Sequence, residues 1–174
     1  MLGRAGMVGA LILLTLAWVG PARASSPFED WAAVVVAGDF HGAGGGPTEA
    51  FDNARRDVSK ELRRLGFSPD NLRQFSVRPD RYKDRPLKAE PRAIYETLND
   101  LSGKARSGCL VYFTSHGMPQ GVVVDDQILT PGVLGRILDA TCQNRPTVVI
   151  LSACFSGVFV RPLARSNRMI LTAA

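Results

Sequence analysis

An α/β fold is the architecture that this sequence predicts, a three-layer sandwich with a mostly parallel sheet flanked by helices. Short, continuous apolar runs recur along the chain, as at residues 33–37 and 147–151, and such runs are typical of strands buried on both faces. Segments with apolar residues at helical spacing lie between these runs. This alternation indicates a parallel sheet with helices on both faces. The length of 174 residues and the 45% hydrophobic composition favour one globular domain.

The first strand and the first helix are the clearest elements of the N-terminal half. The strand at residues 33–37 ends at Gly38-Asp39 and leads into a glycine-rich loop. A helix is predicted over residues 51–65, where apolar residues recur at helical spacing before the stop signal of Gly66. Two faces are expected, an inward apolar one (Phe51, Ala54, Val58, Leu62, Leu65) and an outward basic one (Arg55, Arg56, Lys60, Arg63, Arg64).

The remaining elements continue the alternation. A weak strand at residues 74–77 precedes a charged, proline-bearing segment at 78–91, which predicts an exposed loop open to proteolysis. Thr130 is a fitting N-cap for a helix that starts with Pro131. The other elements are a helix at 93–101, a strand at 109–114, a hairpin at 121–130 turning at Asp125-Asp126, a strand at 147–151 and a last strand at 169–171. We expect a domain that is incomplete at its C-terminal end, after this fifth strand.

Residues 1–24 have the pattern of a secretory signal peptide, so the domain is expected to occupy residues 25–174. Arg4 supplies a positive start, and the apolar residues 7–19 are fewer than the roughly 20 that span a membrane. Ala22-Arg23-Ala24 forms a small-x-small cleavage site before Ser25. The prediction is an exported protein, periplasmic or secreted, with no stable membrane span after cleavage. The alternative is a membrane anchor formed by an uncleaved signal.

Charge and cysteine content bound the partners and the redox state. The formal net charge of +5 is mild, and the basic residues are spread out without an aromatic-basic motif, so nucleic acid is not predicted as a partner. An exported chain can form disulfides. Cys109 opens one strand and Cys142 lies just before its presumed neighbour, so we predict that they pair and leave Cys154 free. Two unrelated buried thiols are the alternative.

Two predicted strands end in residues that can carry nucleophilic catalysis. His116 and Cys154 each follow an apolar run by about three residues, and ligands bind beyond the carboxyl ends of the strands in parallel sheets. We therefore expect the two side chains to meet at one edge of the sheet. A thiolate beside an imidazole is an activated nucleophile toward carbonyl carbon. The backbone N–H groups of Gly117 and Cys154 are the candidate donors to the oxyanion that such an attack creates.

The motifs around these two residues resemble those of the legumain (asparaginyl endopeptidase) family of caspase-like cysteine peptidases. They are FTSHG at residues 113–117 and LSACFSG at residues 151–157, and the closing ILTAA at 170–174 resembles the strand that follows the nucleophile in that family. The similarity covers about residues 31–174. It implies a caspase-like fold and a cysteine endopeptidase that hydrolyses polypeptides through a Cys-His dyad and a thioester, without metal or organic cofactor.

The sequence departs from the family pattern at several positions. Ser115 and Ser152 stand where the family has acidic residues before its histidine and cysteine. Legumains have an asparagine after the first strand that supports the histidine, and the nearest candidate here is Asp39, since a carboxylate can orient an imidazole. Residues 51–53 stand where legumains carry an arginine that recognises asparagine, which puts asparagine specificity in doubt.

Two other functions are compatible with the sequence. One is a non-catalytic caspase-like binding module that keeps the dyad but has an incomplete substrate pocket. The other is a nucleotide-binding α/β domain, because a glycine-rich loop follows the first strand. A dinucleotide fingerprint requires G-x-G-x-x-G, and the loop offers Gly42 and Gly44 but then Pro47 in place of the last glycine.

Overall fold

A computed structural model describes residues 26–173 as an α/β sandwich. The strands of this part of the chain are β1 (Trp31–Ala37), β2 (Leu72–Ser76), β3 (Leu87–Lys88), β4 (Gly108–Thr114), β5 (Gly117–Met118), β6 (Gly121–Val124), β7 (Gln127–Leu129), β8 (Thr147–Ser152) and β9 (Arg168–Thr172). The helices are α1 (Ala50–Arg64), α2 (Pro91–Lys104), α3 (Pro131–Thr141) and the short α4 (Val160–Leu163). The main sheet has the order β3-β2-β1-β4-β8-β9.

All pairings within this six-stranded sheet are parallel, as the continuous apolar runs predict. Alternate residues of the central strands face two separate cores. Val34, Val36, Val111 and Phe113 belong to the larger core. Ala33, on the opposite face of β1, belongs to a smaller one. The sheet is therefore the middle layer of the predicted three-layer sandwich.

The helices distribute unevenly over the two faces of the sheet. Ile94 of α2, Leu134 of α3 and Leu163 of α4 all pack into the larger core. On the other face Leu62 of α1 packs into the smaller core. Thr130 caps α3 by accepting a hydrogen bond from the Val133 amide at 3.4 Å, as predicted.

The buried face of α1 differs from the predicted one. Arg55, expected among the outward basic residues, is fully buried, whereas Leu65, expected inside, is 57% exposed. The guanidinium of Arg55 donates to Asp52 at 2.8 Å, to Gln74 at 2.6 Å and to Asp84 at 2.6 Å. Paired and hydrogen-bonded in this way, a charged side chain can take a core position that its type alone disfavours.

The charged segment at residues 78–91 is more ordered than the predicted exposed loop. Its residues Leu87 and Lys88 form β3, which pairs with β2, and Ala89 is buried in the larger core. Asp84 also holds the segment down through its ion pair with buried Arg55. The prediction of a loop holds for residues 82–86, which form no helix or strand, and it was wrong for residues 87–89, because their anchors in β2 and the larger core lie outside the segment.

The predicted hairpin is confirmed as part of a second, antiparallel sheet of three strands in the order β5-β6-β7. It turns at Asp125-Asp126, with Asp125 in the left-handed region at φ 58°. The Asp125 amide donates to the Gly38 carbonyl at 2.8 Å, which ties the hairpin to the end of β1.

The predicted disulfide between Cys109 and Cys142 is present, with the two Cα atoms 6.0 Å apart. It joins the start of β4 to the end of α3, at the amino end of the sheet. The predicted signal peptide, residues 1–24, lies outside the described residues. Within residues 26–173, no helix has the length and apolar character needed to cross a membrane.

Candidate active site

The candidate site lies where the direction of strand succession reverses. From β1 the chain moves outward to β2 on one side, and then returns to β4 on the other side of β1. Ligands of open α/β sheets bind at the carboxyl ends of the strands beside such a switch point. The three residues that follow β1, β4 and β8 at this edge are Asp39, His116 and Cys154.

Strand register brings His116 and Cys154 side by side. Thr114 of β4 is paired with Ser152 of β8, and each functional residue lies two positions beyond its member of that pair. The Ser115 amide continues the ladder by donating to the Ser152 carbonyl at 3.2 Å. The prediction that the two strand ends are neighbours is therefore correct.

Gly117 lies directly against the backbone of Cys154. A Cβ atom added to Gly117 would be 1.8 Å from the Cys154 carbonyl oxygen and 2.8 Å from its carbonyl carbon. No side chain can occupy that space, since contacts under 3.0 Å are essentially absent from proteins. The glycine after His116 is thus required by the close approach of the Cys154 backbone.

The ring of His116 is held by two contacts. Its Nε2 lies 2.9 Å from the carbonyl oxygen of His41, and its face-to-edge contact with Phe51 has a centroid separation of 5.2 Å. A carbonyl oxygen can only accept, so Nε2 carries a proton in this arrangement. In the neutral ring the lone pair is then on Nδ1, which leaves Nδ1 as the basic atom.

Cys154 is an exposed, free thiol on a constrained turn. The residue that follows it, Phe155, has φ 56° and ψ 13°, in the left-handed region that bulky residues rarely adopt. Such a conformation costs on the order of 1–3 kcal/mol and persists only where the surroundings impose it. Nearby, the buried Ser156 accepts a hydrogen bond from the Ala173 amide at 3.2 Å. Strain therefore lies directly beside the candidate nucleophile.

Asp39 is hydrogen-bonded to His41, and His41 in turn contacts His116, so Asp39 is linked to His116 through His41. One carboxylate oxygen accepts from the Phe40 amide at 2.6 Å, the His41 amide at 3.0 Å and the His41 ring Nδ1 at 2.8 Å. Burial by itself would raise the pKa of Asp39, but the hydrogen bonds from His41 and Phe40 outweigh it and hold the pKa below its ordinary value.

The serines at the positions where legumains carry acidic residues, Ser115 and Ser152, have different environments. Ser115 is buried and donates from its hydroxyl to the Val123 carbonyl at 2.7 Å, which fastens the small sheet beneath the site. Ser152 is half-buried and lines a cavity of about 290 Å³ together with Tyr112, Ile150, Leu171 and Thr172. The walls of this cavity are thus neutral.

Three contributors to the site were missed by the sequence analysis: His41, Phe155 and the role of Phe51 against the His116 ring. His41 was the easiest of these to predict, because a histidine two residues after Asp39 is suitably placed to be held by an aspartate-initiated turn. The left-handed Phe155 had no local signal, since its sequence neighbours are compatible with ordinary backbone angles.

The glycine-rich loop after β1 closes on itself. The Gly42 amide donates to Gly46 at 2.7 Å, the Gly45 amide donates to Gly42 at 2.9 Å, and His41 bridges to Pro47. These amides are therefore engaged within the loop, unlike the phosphate-facing amides of a dinucleotide-binding loop. Between residues 26 and 173, no three His, Cys, Asp or Glu side chains group as metal ligands.

Comparison with known proteins gives a family and a fold. The family model described as the peptidase C13 family matches residues 87–174, which contain both predicted catalytic motifs. The crystal structure of caspase-1 from Spodoptera frugiperda superimposes with a TM-score of 0.52 at 14% sequence identity, over 83% of this chain. The chain spans 55% of the length of that caspase chain. No curated protein matches the sequence.

Proposed function

Because the chain belongs to the peptidase C13 family, that of the legumains, and has a caspase-like fold, we propose that it is a cysteine endopeptidase acting on polypeptides. His116 and Cys154 are its catalytic dyad in this proposal. The single observation that carries it is the contact of Gly117 with the Cys154 backbone. This contact places the residue after His116 directly against Cys154, so the ends of β4 and β8 are in contact at the proposed dyad.

The arrangement supports a thioester mechanism. His116 Nδ1 takes the proton of the Cys154 thiol, and the thiolate attacks the carbonyl carbon of the scissile peptide. The oxyanion accepts hydrogen bonds from the N–H groups of Gly117 and Cys154. The intermediate collapses to a thioester as His116 returns the proton to the leaving amine. Water, deprotonated by the same imidazole, then attacks the thioester carbonyl, and the acid product leaves while the thiol regains its proton.

The position of His116 supports its role as the base. The His41 carbonyl engages Nε2 at 2.9 Å, so the proton-accepting nitrogen is the other one. Phe51 covers part of the ring and limits its rotation. The exposed Cys154 thiol is accessible to an extended peptide.

The test uses a panel of fluorogenic peptides with Asn, Asp, Arg, Lys or Leu before the scissile bond. Cys154→Ala should abolish cleavage, and His116→Ala should be nearly as severe, since residues that act as a unit are not additive. Both variants should remain folded, because neither side chain is in a core, and thermal unfolding checks this. Unchanged turnover in Cys154→Ala would refute the assignment. A folded wild type that binds peptides and cleaves none would instead favour a non-catalytic binding module.

We further propose export, periplasmic or secreted, by a signal peptide at residues 1–24. The Cys109–Cys142 disulfide supports it, since structural disulfides persist in oxidising compartments. N-terminal sequencing of the protein recovered from producing cells should begin at Ser25. An intact Met1 terminus in the cytoplasm would contradict export, and the same terminus in the membrane fraction would indicate an uncleaved anchor.

A further inference from the structure

The loop between β1 and α1 is a tight hairpin that presents the backbone carbonyl of His41 to the candidate active site. The Thr48 amide donates to the Phe40 carbonyl at 2.7 Å and the Gly42 amide to Gly46 at 2.7 Å, on either side of the bridge between His41 and Pro47. A residue that lies between two such hydrogen bonds directs its own N–H and C=O away from the opposite strand. Both polar groups of His41 therefore point out of the hairpin.

These two groups of His41 have different partners. Its N–H donates to the Asp39 carboxylate at 3.0 Å, and its carbonyl oxygen receives His116 Nε2 at 2.9 Å. The His41 ring, half-exposed, also contacts the same Asp39 oxygen at 2.8 Å, and it packs against the Phe40 ring at a tilt, with the centroids 3.9 Å apart. Asp39 thus fixes the residue whose carbonyl holds the proposed catalytic base.

The base of the hairpin gives this arrangement a firm support. Gly38 donates its amide to the Thr114 carbonyl at 3.0 Å and accepts from the Asp125 amide at 2.8 Å. A side chain at Gly38 would collide with the Val123 carbonyl at 2.3 Å. Asp39 is anchored to the ends of β1, β4 and β6 through this one residue, and its side chain is only 13% exposed.

We propose that Asp39 is a positioning residue: its carboxylate fixes the His41 backbone, whose carbonyl contacts His116, and it does not act on the imidazole as a direct carboxylate partner. This inference rests on the proposed role of His116. A direct catalytic-triad carboxylate would have to stabilise the imidazolium by its charge. The indirect role requires only an acceptor oxygen for the Phe40 and His41 amides, which an asparagine side chain also provides.

Both roles predict that Asp39→Ala lowers activity in the full chain, and they differ in the result for Asp39→Asn, which only the direct role predicts to be equally damaging. For the indirect role, Asp39→Asn should keep kcat within about fivefold of wild type. Asp39→Ala should lower kcat by roughly 10- to 100-fold at unchanged KM, because small displacements of a catalytic group are costly. His41→Ala retains the carbonyl and should lose at most about fivefold. Asp126→Asn, on the exposed hairpin turn, is the matched control and should leave kcat unchanged.

A second readout needs no peptide substrate. The rate of Cys154 alkylation by iodoacetamide, followed against pH, depends on two pKa values: that of the thiol at the acid limb and, at the alkaline limb, that of the His116 imidazolium paired with the thiolate. Asp39→Asn should move that pKa by less than about half a unit, whereas loss of a directly contacting carboxylate would lower it by at least about one unit. Thermal unfolding of each variant identifies a general loss of folding.

The outcomes are distinct. Equal damage from Asn and Ala at position 39, with a lowered imidazolium pKa, would overturn the inference in favour of a direct carboxylate. Full activity in Asp39→Ala would overturn it by removing any role for the residue. If wild type and His116→Ala show the same pH dependence of Cys154 alkylation, the dyad and this inference would both be overturned. Failure to cleave any peptide, with the expected alkylation pattern intact, would refute only the proposed endopeptidase activity.

Discussion

The two ends of the main sheet both carry cysteine, and they use it in opposite ways. At the amino end, Cys109 and Cys142 are oxidised to a disulfide that joins β4 to α3. At the carboxyl end, Cys154 is a free and exposed thiol. The disulfide partners are completely buried, whereas Cys154 is followed by the strained, 54% exposed Phe155.

The amino end is reinforced by more than the disulfide. The Arg145 guanidinium donates to the carbonyl oxygens of Ser102 at 2.9 Å and Ala105 at 2.8 Å, at the end of α2. It also donates to the carbonyls of Thr141 and Cys142, at the end of α3. Burial lowers the pKa of Arg145, and a cation placed on helix C-terminal carbonyls complements both helix dipoles.

The contrast shows a division of labour along the strands. At the amino end the disulfide joins β4 to α3, and Arg145, just before β8, is hydrogen-bonded to the ends of α2 and α3. The register of β4 and β8 starts there and sets the relative positions of His116 and Cys154, about seven residues further on. The carboxyl end is then free to keep a reactive thiol and a strained turn. Stability and chemistry should therefore respond to different substitutions.

The largest effect is expected from removing the disulfide. The double substitution Cys109→Ala, Cys142→Ala should lower the free energy of unfolding by about 3–4 kcal/mol in the chain-entropy model for this loop, which spans a sequence separation of 33. Cleavage per folded molecule should be retained. Urea denaturation and active-site titration measure the two quantities. A loss of turnover in molecules shown to be folded would contradict the division between the two ends.

Gly117→Ala should have the next largest effect, and it should act on chemistry. The new Cβ would force the Cys154 peptide to move, so we expect kcat/KM to fall by at least about 100-fold. Gly103→Ala is the matched control, since a Cβ there meets nothing within 4 Å and alanine is favoured over glycine in a helix by about 1 kcal/mol. A Gly117→Ala variant with wild-type kcat/KM would show that the close approach is unimportant for catalysis.

The smallest effect concerns acid pH at the amino end. The Ser107 hydroxyl, at 2.8 Å, and the Arg106 amide, at 3.1 Å, donate to the Asp30 carboxylate and lower its pKa below the ordinary 3.8. A group with a lowered folded-state pKa stabilises the fold above its unfolded-state pKa and loses that contribution as the pH falls. Wild type should therefore lose slightly more stability between pH 5 and pH 3 than Asp30→Asn. Parallel urea midpoints across that range would contradict this role.

Much of the fold was predictable because its signals are local. Apolar runs identified β1, β4 and β8, and the spacing of Ile94, Leu98 and Leu101 identified the buried face of α2, which the structure confirms. The neighbouring positions of His116 and Cys154 were predictable for a related reason, since the carboxyl ends of adjacent parallel strands meet at one edge. The burial of Arg55 was not predictable, because its partner Asp84 lies 29 residues away in the sequence.

The sequence by itself determined the alternation of the main strands and helices, the cysteine pair at one end of the sheet and the identity of the two residues proposed for catalysis. These follow from residue type and spacing, which act over a few residues along the chain. Only the tertiary structure decided that Asp39 holds His41, that the His41 carbonyl meets His116, and that Gly117 must be a glycine. Each depends on how a loop, a strand end and a turn pack together, so its physical cause is a contact between segments that no local pattern encodes.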